Sequence, residues 1–308
     1  MGSKCLTPVR GRSMRLTRLD SCGRVVYGDA SHAVSEGYVS VALTANTQDT
    51  DEINVPNAAG KICVYEPAET NLVGYGAEIS FCEVDFELFT MVTGALPRLD
   101  AFGNVVGFDV ITKAVKGNFA LEVWTGSKST DVCDDPNAQG AFGYTLLAWM
   151  YGGIVGDFTI ENGAITFTIT GANTREGNRW GVGPYAVARD NLGAASQLLT
   201  PVDKNSALLM EITTVEPPAA ACGLRPTLDP TSTPITDITA TKTGLEVDFV
   251  TVPVATSPVW YDFGDVVPLV VAAPGAASHT YAEAGTYTVR ASTNQIDWVE
   301  ETVTVTGP

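Results

Sequence analysis

Hydrophobic and polar residues alternate with a period of two along much of the chain, and this pattern is typical of β-strands with one buried face. The alternation is clear at 37–46, 77–84, 105–113 and 118–125. The run 143–151 is almost wholly apolar and fits either a strand buried on both faces or a buried helix. Its length and flanking glycines favour the strand. The pattern therefore predicts a mainly β protein.

One short stretch departs from this period. Between 85 and 93 the apolar residues recur three apart, beginning at Phe86. Asp85 is a suitable N-cap, and Gly94 suits the left-handed position that closes a helix. The sequence therefore predicts one short amphipathic helix at about 85–93 that flanks a sheet.

Proline marks the expected domain boundary. Five of the 17 prolines fall within 216–234. Proline stiffens the chain and removes backbone donors, so this stretch is predicted to be a linker between a body at 29–215 and a second domain at 235–308. Within the body, the polar and acidic run 47–59 is predicted to be a long exposed loop.

Charge is unevenly distributed, because the chain has a net charge of −17 while residues 1–28 contain six basic residues and one acidic residue. This predicts a basic N-terminal arm at 1–28 that reaches an acidic surface, such as that of another copy; a flexible solvated tail fits equally well. The candidate contact residues are Arg10, Arg12, Arg15, Arg18 and Arg24 in the arm, and Asp49, Asp51 and Glu52 in the acidic run.

The chemistry that most enzymes need is not recognisable in the chain. There are two histidines, His32 and His279, and no glycine-rich phosphate loop or zinc-binding motif. Acidic pairs such as Asp134-Asp135 have the oxygen ligands that calcium prefers, but solvated turn residues are the favoured interpretation. We therefore expect a binding or structural protein with no catalytic, cofactor or metal site.

Cysteine spacing and hydropathy bear on the compartment. The six cysteines are scattered without a CxxC pair, which favours reduced thiols and synthesis in a cytoplasm. The chain has no apolar run of about 18 residues, so no transmembrane helix is expected. The basic start lacks the apolar core of a secretory signal.

The last domain has a recognisable pattern. Tyr-Asp-Phe-Gly-Asp at 261–265, His-Thr-Tyr at 279–281 and Gly-Thr-Tyr-Thr-Val at 285–289 resemble a PKD-type immunoglobulin-like module. Val266 stands where that family usually has glycine. The resemblance implies an immunoglobulin-like β-sandwich at 235–308, and such modules accompany many unrelated functions.

Two stretches of the body carry a second resemblance. At 78–95 an acidic and apolar strand leads into a helix that ends in Thr-Gly, and within 167–187 a strand is followed by Trp-Gly-Val-Gly-Pro-Tyr at 180–185. The body, over about 24–215, resembles the major tail (tube) protein of long-tailed, siphovirus-type bacteriophages of actinobacterial hosts. The resemblance implies a tail-tube β-sandwich or barrel.

This resemblance also implies a function and partners. The subunit would assemble with itself into hexameric rings that stack into a tube in the virion tail. The tail terminator, tape-measure and distal tail proteins would be its other partners. DNA would pass through the lumen without sequence-specific binding, since an acidic lumen repels phosphate.

Two other functions stay open. PKD-type modules also occur in cell-surface and carbohydrate adhesion proteins, and Trp298 is the one candidate for weak glycan contact in the last domain. Such a tryptophan more often belongs to a sandwich core. A capsid decoration protein is the third possibility.

Overall fold

A computed structural model of the protein describes residues 8–127, 141–158, 160, 165–229, 235–255, 259–265, 270–272, 276–293 and 298–306. The chain forms two compact units. Unit 1 comprises Met1–Val25 and Ala33–Leu224, and unit 2 comprises Val26–His32 and Arg225–Pro308.

Antiparallel strands dominate the described part of the chain. Up to residue 227 the elements are β1 (Pro8–Leu19), β2 (Gly28–Ser35), β3 (Tyr38–Asp49), β4 (Ile53–Pro56), β5 (Ile62–Glu66), β6 (Thr70–Phe81), α1 (Phe86–Thr93), β7 (Leu96–Leu99), β8 (Val105–Asp109), β9 (Asn118–Ser127), β10 (Phe142–Tyr151), β11 (Ile154–Val155), β12 (Phe167–Thr174), β13 (Ala188–Arg189), β14 (Ala195–Ser196), β15 (Leu209–Thr213) and β16 (Ala221–Thr227). The protein is thus mainly β, as the alternation predicts.

One large sheet contains the central strands of unit 1. Its strand order is β16-β2-β1-β9-β10-β12-β6-β3, with β11 paired to β12 and β15 paired to β10. The run 143–151 is the strand β10, and its register with β9 places Gly143 opposite Thr125 and Tyr151 opposite Asn118. Because both faces of the central strands are buried, β10 is apolar on both.

One face of this sheet packs against the helix. Leu88, Phe89 and Val92 of α1 are fully buried with Leu16 and Leu121 of the central strands. The apolar side chains that recur three residues apart thus form the buried face of the helix, as the sequence predicts.

Local signals explain both ends of α1. The Asp85 carboxylate accepts hydrogen bonds from the backbone N–H groups of Glu87 and Leu88, which satisfies two donors at the N-terminus. Gly94 has the left-handed conformation, with φ of 70°, and its N–H donates to the Thr90 carbonyl. These contacts confirm the predicted helix and its caps.

Unit 2 contains two small antiparallel sheets. Its strands are β17 (Asp237–Thr243), β18 (Glu246–Val252), β19 (Val259–Asp262), β20 (Val270–Ala272), β21 (Ala276–Thr280), β22 (Gly285–Ser292) and β23 (Val299–Val305). The orders are β17-β18-β21 and β20-β19-β22-β23. Phe249 from the first sheet and Tyr261 and Val289 from the second lie in one apolar core. Val266 and its turn lie outside the described residues.

The predicted N-terminal arm is wrong for most of its length. Residues 8–19 form β1, which pairs with β9 through ten registered positions from Pro8 to Leu19. Met14 and Leu16 are fully buried on this strand. The segment is held in the sheet because its apolar side chains enter the core and because Arg15 forms an ion pair with the buried carboxylate of Glu122.

The predicted linker and loop also need correction. Within 216–234, residues 221–227 form the strand β16, while 230–234 lie outside the described residues. Within 47–59, residues 53–56 form β4, which pairs with β5. β16 pairs with the distant strand β2, and β4 pairs with its neighbour β5. In both cases strand pairing overrides a local sequence that is rich in proline or polar residues.

Candidate functional site

A long two-stranded ribbon leaves the core of unit 1. The pairing of β3 with β6 runs from Tyr38 opposite Phe81 to Asp49 opposite Thr70. The pairing of β4 with β5 continues beyond it. Every residue from 44 to 73 is exposed, and we name this segment the hairpin extension. Because an isolated two-stranded ribbon is at best marginally stable in water, the extension is a candidate for contact with a partner.

The end of the hairpin extension has an apolar face. Val55 is directly opposite Val64, so the two side chains share one face of the ribbon. Ile53, two residues before Val55, projects from that same face, while a register shift sets Ile62 opposite Pro56 at the end of the ribbon. All four are exposed, Ile62 to 61%. We name these four side chains the tip face.

Side-chain hydrogen bonds explain why this sequence folds as a ribbon. The Asn57 carboxamide oxygen accepts the N–H groups of Ala59 and Lys61, both at 2.9 Å, and so forms the turn between β4 and β5. At the junction of the two ladders, the Thr50 N–H donates to the Glu69 carbonyl at 2.8 Å, and the Glu69 N–H donates to the Thr50 hydroxyl at 2.9 Å. The ribbon is therefore continuous.

A second exposed apolar surface follows α1. β7 and β8 form a hairpin whose tip residue Phe102 is 89% exposed. The Asp100 carboxylate forms the turn by accepting hydrogen bonds from the Asn104 side chain and from the N–H groups of Asn104 and Phe102. These bonds, led by that of the Asn104 side chain, lower the pKa of the Asp100 carboxyl.

Beyond this hairpin the surface contains a small cavity. Its volume is about 80 Å³. The exposed side chains of Val110, Ile111 and Ile154 line it together with Lys116. We name these four residues the acceptor patch. Other lining residues belong to the end of α1 and its continuation, among them Thr93 and Ala95.

Of the predicted contact arginines, Arg15 is part of the core. It is 6% exposed and makes two hydrogen bonds to the Glu122 carboxylate, at 2.6 and 2.7 Å, from the position directly opposite on β9. Tyr144 donates a third hydrogen bond to Glu122 at 2.8 Å. Burial alone would lower the pKa of Arg15, but Glu122 outweighs it, so the pKa of the guanidinium is raised. Arg15 is therefore a structural residue and not an exposed contact.

The Trp-Gly-Val-Gly-Pro-Tyr segment covers this buried pair. The Arg15 guanidinium lies 3.3 Å from the centre of the Tyr185 ring, and the Tyr185 hydroxyl is 3.1 Å from that of Thr17. Trp180, at the other end of the segment, is buried in the same layer. The motif thus closes the second face of the sheet over a charge that would otherwise meet solvent.

The other predicted contact residues differ in accessibility. Arg18 is half-buried, and burial lowers its pKa. Exposed candidates are Arg10, Arg12, Arg24, Asp49, Asp51 and Glu52. The three acidic residues lie on the hairpin extension. In the described chain no ion pair joins an arginine candidate to an acidic one.

The glycan candidate Trp298 is half-buried in unit 2. The Arg290 guanidinium lies 5.4 Å from the centre of its ring and is itself paired with Asp262. One side of the indole is therefore covered by a fixed cation.

Sequence reasoning missed the tip face and Glu122. The alternation Ile-Asn-Val at 53–55 and Ile-Cys-Val at 62–64, on either side of an Asn-to-Gly turn, is a hairpin signal that identifies the first. No local signal marks Glu122, because its partner Arg15 is 107 positions away along the chain.

Comparison with protein-family models and with curated proteins gives no match. Among the described residues, no helix has the length and apolar character required to cross a membrane. The same residues contain no group of three or more histidine, cysteine or acidic side chains placed to hold a metal ion.

Proposed function

We propose that this chain is a structural subunit of a non-contractile phage tail tube, which assembles with itself into stacked rings around a channel for DNA. The observation that carries the proposal is the hairpin extension: residues 44–73 form an ordered ribbon that is exposed throughout and ends in an apolar face. Exposed apolar surface of this kind marks a protein interface. The resemblance of the body to tail-tube proteins gives the kind of assembly.

Charge is consistent with this role. The chain has a net charge of −17, which disfavours the phosphate contacts that make DNA-binding proteins adhere. A tube built from such subunits would let DNA slide. Unit 2, with its resemblance to a PKD-type immunoglobulin-like module, would be displayed on the outside, in the virion tail.

Electron microscopy and light scattering of the purified full chain test the proposal. We expect rings or tubes at micromolar concentration. A matched variant replaces residues 50–69 by an Asn-Gly turn, which joins Asp49 and Thr70 where they already pair. This variant should keep the fold, because none of the deleted residues is buried, and should lose the tubes. A full chain that stays monomeric would contradict the proposal.

A further inference from the structure

We propose that the tip face of one copy binds the acceptor patch of the next copy, which gives a head-to-tail contact between two different surfaces of the same chain. The inference rests on the proposed self-assembly and names the two surfaces that make it.

Shape and polarity match between the two surfaces. The tip face presents four β-branched side chains on a ribbon with no core of its own, Ile53, Val55, Ile62 and Val64. The acceptor patch has an exposed apolar rim around a cavity of about 80 Å³. This cavity is smaller than the roughly 150 Å³ void that holds benzene, and it suits a single aliphatic side chain.

Charge complementarity favours a second copy as the occupant. The hairpin extension has five acidic residues and one lysine; these are Asp49, Asp51, Glu52, Glu66, Glu69 and Lys61. The segment 110–116 beside the cavity contains Lys113 and Lys116 and no acidic residue. Neither lysine forms an ion pair within the described residues. An acidic apolar tip thus meets a basic apolar patch.

The exposed arginines of β1 are a weaker alternative acceptor. Arg10 and Arg12 are basic and exposed, but Val9 is the one large exposed apolar residue on that strand. Neither arginine lines the cavity of the acceptor patch. An apolar tip face would therefore bury little surface there.

A contact between two different surfaces leaves a free tip and a free patch at the ends of every pair. Such a heterologous contact can therefore repeat from copy to copy. It ends when a ring closes, and otherwise it continues as an open stack. A contact between two identical tips would stop at a pair. The inference therefore accounts for growth, which the proposed tube requires.

Two single substitutions separate the surfaces. Val55→Asp places a charge on the tip face, and Val110→Asp places one on the acceptor patch. Both valines are exposed, at 48% and 64%, so neither change alters the core. Val254→Asp in unit 2 is the matched control, because Val254 is also 64% exposed and belongs to neither surface.

Each variant, and the equimolar mixture of the two, is measured by sedimentation velocity and native mass spectrometry. We expect Val55→Asp and Val110→Asp each to stop at the same small species, and Val254→Asp to assemble like the unchanged chain. In the mixture, the intact tip of the Val110→Asp copy binds the intact patch of the Val55→Asp copy. The mixture should therefore form a 1:1 complex of twice that mass and grow no further.

The outcomes distinguish the two proposals. Normal assembly of Val110→Asp beside failure of Val55→Asp would overturn the acceptor patch and leave the tube function standing. Normal assembly of both variants would overturn the contact altogether. An unchanged chain that does not assemble would remove the proposed function and this inference together.

Discussion

At the scale of single residues, the ion pair of Arg15 and Glu122 stands out because both groups are buried in the sheet. A buried pair is costly to form, but removal of one partner leaves an uncompensated charge in the core. We therefore expect Glu122→Gln to lower the free energy of unfolding of unit 1 by about 3–5 kcal/mol. Urea unfolding followed by tryptophan fluorescence measures this loss.

A control variant also removes the Arg15 guanidinium, which Glu122→Gln leaves without its ion-pair partner. Adding Arg15→Met to Glu122→Gln should recover most of the lost stability, because the glutamine can still accept the hydrogen bond of Tyr144 and no charge is left in the core. If Glu122→Gln alone cost less than about 1 kcal/mol, the pair would be behaving like one exposed to solvent.

Two buried tyrosines of unit 2 differ in the hydrogen bonding of their hydroxyl groups. The buried hydroxyl of Tyr261 has no hydrogen-bond partner among the described residues, whereas that of Tyr281 donates to the Phe263 carbonyl at 3.1 Å. Tyr261→Phe removes an unpaired polar group and should be neutral or stabilising. Tyr281→Phe should cost about 0.5–1.5 kcal/mol. Thermal unfolding of the two variants gives the comparison, and equal losses would contradict it.

At the scale of elements, Asp85 connects the helix to a distant strand. One carboxylate oxygen caps α1, and the other accepts the N–H of Gly223 in β16 at 2.8 Å. Glu87 accepts the next N–H, that of Leu224, at 2.5 Å. Gly223 has φ of 80°, a left-handed conformation that strains other residues, and an added Cβ would lie 2.6 Å from the Glu87 carboxylate, so the position favours glycine.

Two substitutions at Asp85 separate its roles. Asparagine keeps an oxygen for the cap but replaces the second acceptor by a donor, so Asp85→Asn should cost about 1 kcal/mol from the lost bond to Gly223. Alanine also removes the cap, and Asp85→Ala should cost about 2 kcal/mol. Chemical unfolding measures both, and equal losses would show that one of the two contacts contributes nothing.

The comparison of helix and strands shows which elements a sequence can predict. The helix at 86–93 is predictable because its cap, its spacing and Gly94 are all local. The strand at 8–19 is harder to predict, because its arginines dominate the local charge and suggest an arm, although Met14 and Leu16 alternate with polar residues. The partners that bury it, Glu122 above all, are more than a hundred positions away.

The strand at 221–227 and the hairpin at 53–66 are also hard to predict from the sequence. Residues 221–227 lie within the proline-rich stretch, and their strand is held by pairing with β2 and by hydrogen bonds to the carboxylates of Asp85 and Glu87, which no local signal reveals. The hairpin at 53–66 was obscured by acidic neighbours, since a strand exposed on both faces lacks the buried side that makes alternation obvious. The tip face was therefore missed at the sequence level.

At the scale of the molecule, unit 2 is assembled from two separate stretches of chain. Thr227 donates its N–H to the Ser31 hydroxyl at 2.7 Å, and its own hydroxyl lies 3.1 Å from the His32 ring. All three residues belong to unit 2. The apolar core of the unit, in contrast, lies wholly between Ile235 and Val305. A fragment 235–308 therefore retains the complete core, and we expect it to fold alone.

Two tyrosines, Tyr261 and Tyr281, should make the stability of this fragment depend on pH. Burial raises the pKa of Tyr261 and of Tyr281 to about 12, from an ordinary value near 10. A raised pKa means that the folded state holds the proton more tightly than the unfolded state. The stabilisation is complete below pH 10 and is lost as the pH rises from 10 towards 12. We expect the thermal midpoint of the fragment to fall across this window, and tyrosinate absorbance to show both groups ionising late.

A variant with Tyr261→Phe and Tyr281→Phe should lose most of that pH dependence while it stays folded at neutral pH. If the double variant kept the same alkaline transition, other groups would be responsible, and an unfolded fragment at pH 7 would show that its core needs the residues before 235.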